Sequence, residues 1–171
     1  MRRVATLVST ATVMMFTVGL LAQAKPNFAG KWTVDAEKTT AANPAPAGGG
    51  GGGGGRAGGG GGGRGGGGPM TIAQDATTLT ITTEGQNGPM EVKYKLDGTE
   101  QTVTMGQGEA KVKAKVEGST IVVEQVRDMG NGPTTTKVVY SMEGDWLVRS
   151  TTSPGRNGGE PTTRKTYFKK G

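Results

Sequence analysis

Two stretches of this chain alternate strictly between apolar and charged side chains. Met90, Val92, Tyr94 and Leu96 are interleaved with Glu91, Lys93, Lys95 and Asp97. Ala110, Val112, Ala114 and Val116 are interleaved with Lys111, Lys113, Lys115 and Glu117. A period of two belongs to a β-strand, because successive side chains point to opposite faces of a pleated sheet. One face of each segment is apolar and the other is charged. Such strands sit on a core with water on the far side, which is the habit of antiparallel sheets.

Turn residues divide the rest of the chain into segments of similar length. Asp97-Gly98, Glu117-Gly118-Ser119, Gly130–Pro133, Glu143-Gly144-Asp145 and Pro154–Gly159 mark such breaks. The pattern predicts strands at 29–35, 69–74, 78–84, 89–97, 100–105, 109–117, 120–128, 134–142, 145–152 and 161–169. Threonine is frequent in them, as β-branched preference for the pleat would have it. Asp35–Ala42 is the one helical candidate, with room for a single turn. The expected fold is all-β: an antiparallel up-and-down meander closing into an eight-to-ten-stranded barrel. Closure removes the exposed edges that a long meander would otherwise leave.

Two segments stand outside this pattern. Met1–Ala24 reads as a signal peptide: Arg2 and Arg3 form a charged start, Val4–Leu21 is mostly apolar, and Ala22-Gln23-Ala24 is an A-x-A cleavage site. Cleavage there leaves no integral membrane anchor and an exported chain, periplasmic or extracellular. Residues 41–68 form a Gly/Pro-rich loop, expected to be disordered. Eighteen of the 33 glycines lie between Gly48 and Gly68, and glycine has no side chain to bury. The remainder, 25–171 without that loop, suits a single small domain.

Composition narrows the chemistry. The chain has no His and no Cys, so Ser–His, Cys–His, thiolate and imidazole sites are all excluded. The acids Asp35 and Glu37, and Glu124 and Asp128, lie near turns or on alternating strand faces and read as solvated. No catalytic residue, metal site or cofactor is expected, and the chain is read as non-enzymatic. The glycine tract is followed by a strand pattern rather than a helix, which argues against a phosphate loop. It has two arginines and no aromatic residue, so nucleic-acid binding is not expected. The Lys111, Lys113, Lys115 stripe, with Lys93 and Lys95, reads as a solubilising strand face.

The segment Phe28-Ala29-Gly30-Lys31-Trp32 resembles the F-x-G-x-W opening of the calycins, the lipocalins and intracellular fatty-acid-binding proteins. Pro69–Ile72, Glu91–Leu96 and Thr163–Lys169 are similar to the second, a middle and the closing strand of the fatty-acid-binding branch. A signal peptide, an early F-x-G-x-W and a Gly-rich insert also resemble a group of secreted bacterial lipocalin-like proteins. The resemblance implies a small apolar or amphipathic ligand in the barrel lumen. It also implies a Trp32 that packs across one barrel end. The family's helical lid would fall at 41–68, where this chain has glycine. Its Arg-x-Tyr carboxylate clamp corresponds to Lys165-x-Tyr167, and its earlier arginine falls near Val139.

Lys165, Tyr167, Trp32 and Tyr94 are therefore the candidate ligand-binding residues. Lys165 and Tyr167 share one strand face. Facing inward they would form an anion clamp, and facing outward they would be solvated. The alternative to a lumenal ligand is a filled barrel that serves as a structural or interaction module of the cell envelope.

Overall fold

A computed structural model describes residues 25–44, 68–85, 88–105, 108–128, 130, 132–155 and 158–171. Residues 1–24, read above as a signal peptide, and most of the glycine loop, 45–67, lie outside the described residues. Ten strands form a single antiparallel sheet. They are β1 (Gly30–Val34), β2 (Met70–Gln74), β3 (Thr78–Gly85), β4 (Gly88–Lys95), β5 (Asp97–Met105), β6 (Gly108–Glu117), β7 (Thr120–Asp128), β8 (Pro133–Glu143), β9 (Trp146–Ser153) and β10 (Thr162–Lys170). Each predicted strand has its counterpart.

The order around the sheet is β4-β3-β2-β1-β10-β9-β8-β7-β6-β5. The first and last strands pair with each other, Trp32 opposite Lys170 and Val34 opposite Phe168. The sheet thus curls into a barrel that nearly closes. The seam lies between β4 and β5, consecutive in sequence but at the two ends of the hydrogen-bonded order. A register shift between Asp97 and Glu100 bends the start of β5 away. This bend extends β5 three residues earlier than alternation alone predicts.

The core is one cluster of inward residues. Phe28, Leu79, Ala114, Ile121, Val123 and Leu147 are fully buried. They gather at the end of the barrel where the chain enters, under the 75–77, 117–120 and 143–146 turns. Trp32 lies there too, its Nε1 donating to the Phe28 carbonyl at 2.8 Å. Gln74 ties the entering segment down: its Oε1 accepts from Phe28 N at 2.9 Å, and its Nε2 donates to the Pro26 carbonyl.

The helical candidate is longer than the single turn expected. Helix α1 (Ala36–Ala42) makes two turns. Asp35 caps it by accepting from Lys38 N at 3.0 Å, and α1 docks against β10. Tertiary contacts of this kind stabilise helices too short to persist alone. The Gly/Pro-rich loop consequently starts later than residue 41, and a short helix occupies the first part of the place expected to lack one.

Gly30 opens β1 with φ of 144°, a conformation side chains rarely adopt. A Cβ there would also lie 3.4 Å from the Lys170 Cε. Gly108 has open space around the same position. Gly30→Ala is expected to destabilise the fold by roughly 1–3 kcal/mol. Gly108→Ala is expected to be neutral or slightly stabilising. Urea denaturation of the two variants checks the contrast.

Candidate functional site

Opposed residues on antiparallel strands project to the same face. Phe168 faces Leu147 across β10 and β9, and both are buried in the core. The same parity turns Arg149 and Thr166 inward, since they are opposed one step further along. Arg149 is in turn opposite Tyr140, which is buried. On β7, Gln125 opposes the core residue Val112, so Gln125 and Arg127 also point inward. Gln101 opposes Val112 from the other side.

The lumen is therefore divided. Its closed end is apolar and filled. Tyr94 and Tyr140 stand opposite Leu79 and Ile121, Arg149 stands opposite Tyr140, and Gln101, Gln125 and Arg127 lie further along the inward faces. Arg127 Nη2 donates to the sulfur of Met105. The Arg149 guanidinium stands 5.5 Å from the centre of the Phe168 ring, a cation–π contact. Arg149 Nε and Gln101 Nε2 are buried and have no hydrogen-bond partner. The register places every Asp and Glu of the described strands on the outward parity. Two guanidinium groups thus point into a lumen whose walls supply no carboxylate.

Burial raises the pKa of Tyr94, with Tyr140 adding to the shift while Arg127 and Arg149 oppose it. Burial likewise raises Tyr140, and Arg149 opposes it. Both phenols stay neutral and can donate or accept. This constellation offers an anion two charged donors, two amides and two hydroxyls.

The four residues singled out by sequence divide between two places. Tyr94 lies in the lumen beside Tyr140. Trp32 is buried at the closed end, where its indole is satisfied by Phe28. Lys165 and Tyr167 lie on the outer face of β10 and meet one carboxylate. Lys165 Nζ reaches Glu143 Oε1 at 2.9 Å, and the Tyr167 hydroxyl donates to Glu143 Oε2 at 2.8 Å. The pair faces solvent and α1 rather than the lumen. Sequence reading missed Arg127, Arg149 and Gln101. The signal was present: Ile121, Val123, Gln125 and Arg127 keep one parity, as do Leu147, Arg149 and Thr151. The arginines end apolar runs, and their parity with those runs marks them as inward.

A separate cleft of about 380 Å³ opens at the closed end, lined by Asn27, Ala29, Trp32, Met142, Asp145 and Lys170. It holds none of the lumenal arginines. The lysine stripe is accompanied by acids. Lys111 and Lys113 lie 3.6 Å and 3.7 Å from Glu100, and Lys115 lies 2.7 Å from Glu117.

No protein-family model matches the sequence, and no curated protein matches it. Solved structures do match its shape. One is described as a REP1-NXSQ fatty acid transporter, at 13% identity and TM-score 0.52, covering 84% of this chain and 95% of that one. Another is a secretory abundant heat soluble (SAHS) protein from Ramazzottius varieornatus, at 18% identity and TM-score 0.53, covering 87% and 98%. The chain has a calycin-like fold.

The outer cluster has its own consequence. Hydrogen bonds from Lys165 and then Tyr167 hold the Glu143 carboxyl below the usual range. A carboxylate with a lowered folded pKa adds stability above its unfolded pKa. That contribution fades as pH falls through the folded value. Glu143 is about half exposed, so the effect is small, below about 1 kcal/mol. Glu143→Gln is expected to lower stability at pH 7 slightly and to flatten its decline below about pH 4.5, near the unfolded glutamate value. Urea midpoints measured from pH 3 to pH 7 test this.

Proposed function

We propose that this protein is an exported, non-enzymatic barrel that binds a small anionic amphipathic molecule in its lumen. One observation carries the reading: Arg127 and Arg149 point into an interior to which the described strands turn no carboxylate, and Arg149 Nε is buried without a partner. Both arginines are half-buried, and a buried donor atom left without a partner is costly. A bound carboxylate or similar anion would offset that cost through charge-assisted hydrogen bonds. The neutral phenols of Tyr94 and Tyr140 and the Gln101 amide would complete its shell. An apolar portion would lie against Met70 and Val92 on β2 and β4. The REP1-NXSQ neighbour's description as a fatty acid transporter agrees with this reading. Export rests on the leader-like Met1–Ala24 segment, and cleavage would place the mature N-terminus at Lys25.

A second reading is favoured by the filled closed end, where Phe28, Leu79, Ile121 and Leu147 are fully buried. In that reading the whole barrel is solid and serves as a structural module. Native mass spectrometry of the mature protein mixed with alkanoates and lysophospholipids separates the two. Lumenal binding gives a one-to-one complex that Arg149→Met weakens at least tenfold, the size expected for a lost charge-assisted bond. Arg164→Met, at the exposed mouth, is expected to have a smaller effect. If no species binds, the lumenal reading is abandoned in favour of the solid barrel.

A further inference from the structure

Met105 is the last residue of β5, and Arg127 is the last but one of β7, with β6 between them. Both keep the inward parity. Val103, two residues before Met105, faces the buried Ala110 across the β5–β6 ladder. Ile121 and Val123, on the parity of Arg127, are buried in the core. The inward positions of β6 at this level are Gly108, opposite Met105, and Ala110. One has no side chain and the other a single methyl. The gap they leave lets Arg127 reach across a whole strand, and its Nη2 donates to Met105 Sδ. A Cβ placed on Gly108 would meet nothing within 4 Å, so a small molecule has room beside this strand end. Met105 is half-buried, whereas Met70 is 3% exposed.

The pair is chemically mismatched. A guanidinium is a charged donor, and a thioether sulfur is a weak acceptor. One modification corrects the mismatch. When a peroxide meets a thioether, the sulfur lone pair attacks one peroxide oxygen. The S–O bond forms, the O–O bond breaks, and the departing hydroxide takes the hydrogen of the transferred oxygen and leaves as water. The sulfur loses two electrons and the peroxide gains them. The product sulfoxide is polar. In an apolar interior its oxygen would cost stability. Beside Arg127 it gains a charge-assisted hydrogen bond.

We propose that Met105 is a peroxide-responsive modification site, whose sulfoxide oxygen engages Arg127 and withdraws that cation from a lumenal anion. The effect on binding rests on the lumenal reading, because Arg127 is one of the two cations that reading assigns to the anion. Met142 is the internal comparison. It is 43% exposed and lines the separate cleft with Trp32 and Lys170, away from both lumenal arginines.

In the test, the mature protein is treated with hydrogen peroxide, and sulfoxide at each methionine is read by peptide mass spectrometry. Dodecanoate binding is read by native mass spectrometry. Met105 and Met142 are expected to oxidise while Met70 does not. Dodecanoate affinity is expected to fall about tenfold, the size of one charge-assisted hydrogen bond. Met105→Leu keeps the size but cannot be oxidised, and the same treatment should leave its affinity unchanged. Met105→Gln offers an amide oxygen to Arg127 and should show the low affinity without peroxide. Urea midpoints give a readout independent of binding. Oxidation should leave the wild-type midpoint nearly unchanged and lower that of Arg127→Leu. A Met105 as resistant as Met70 overturns the site. So does full oxidation at Met105 with no loss of affinity, or an equal loss in Met105→Leu, which would assign the effect to other methionines. Equal loss of midpoint in wild type and Arg127→Leu would show that the sulfoxide does not pair with Arg127, and the proposal falls. If the untreated wild type binds no dodecanoate, the lumenal reading fails and control of binding fails with it. The midpoints would then still show whether the sulfoxide and Arg127 pair.

Discussion

The short ladder between the first and last strands holds the barrel together. It has three opposed pairs, Trp32–Lys170, Thr33–Lys169 and Val34–Phe168, extended by Gly171 N donating to the Lys31 carbonyl and Asp35 N to the Tyr167 carbonyl. Every other ladder joins strands consecutive in sequence, apart from β4 and β5, which are not laddered at all. Without β1–β10, strands β1 to β4 and strands β5 to β10 would be two separate meanders, each with an open inner face. Loop closure over so long a separation costs entropy before it gains contacts. The residues at this ladder reflect that demand. Trp32, Phe168 and Phe28 bring large buried surfaces to it, and Gly30 lets β1 begin beside the indole.

How much of this was legible in the sequence follows from which physical signals are local. Strand existence is a local signal, set by alternation and turn residues, so all ten strands were predictable from Met90–Leu96, Ala110–Val116 and their neighbours. The buried position of Trp32 was legible as well, because a large aromatic beside Gly30 has few other uses. The helix was underestimated, since seven residues have little intrinsic helicity. What holds α1 is its fit to a β10 edge 122 residues away in the Asn43–Lys165 contact, which no local pattern reveals.

The site was legible only in part, for a reason of parity. The closing strand reads Thr163, Lys165, Tyr167 against Arg164, Thr166, Phe168, and neither set is clearly apolar. Phe168 decides the matter, because its opposition to Leu147 sends the even residues inward. Lys165 and Tyr167 are then outward, and their chemistry is spent on Glu143 from β8. Arg149 sits in the opposite case. Its own strand begins with Leu147 on the same parity, so two residues of context were enough to place it. Resemblance drew attention to the clamp position, whereas alternation turns a different basic residue, Arg149, inward on the neighbouring strand.

The two halves of the lumen then impose different requirements. Where the wall is apolar, side chains meet one another and burial stabilises the fold at about 25 cal/mol per Å². Where the wall carries Arg127, Arg149 and Gln101, the same closeness would leave charged donors facing each other. Packing the second half as tightly as the first would require a counter-charge, and the register puts every strand carboxylate outside. Sequence therefore separates the two tasks along the strands. The residues nearest the entering chain secure the fold, and Arg127, Arg149 and Gln101 add inward polar groups along other strands. The helix that covers the β10 edge lies outside the core altogether. It is attached through hydrogen bonds and a cation stack rather than through the core.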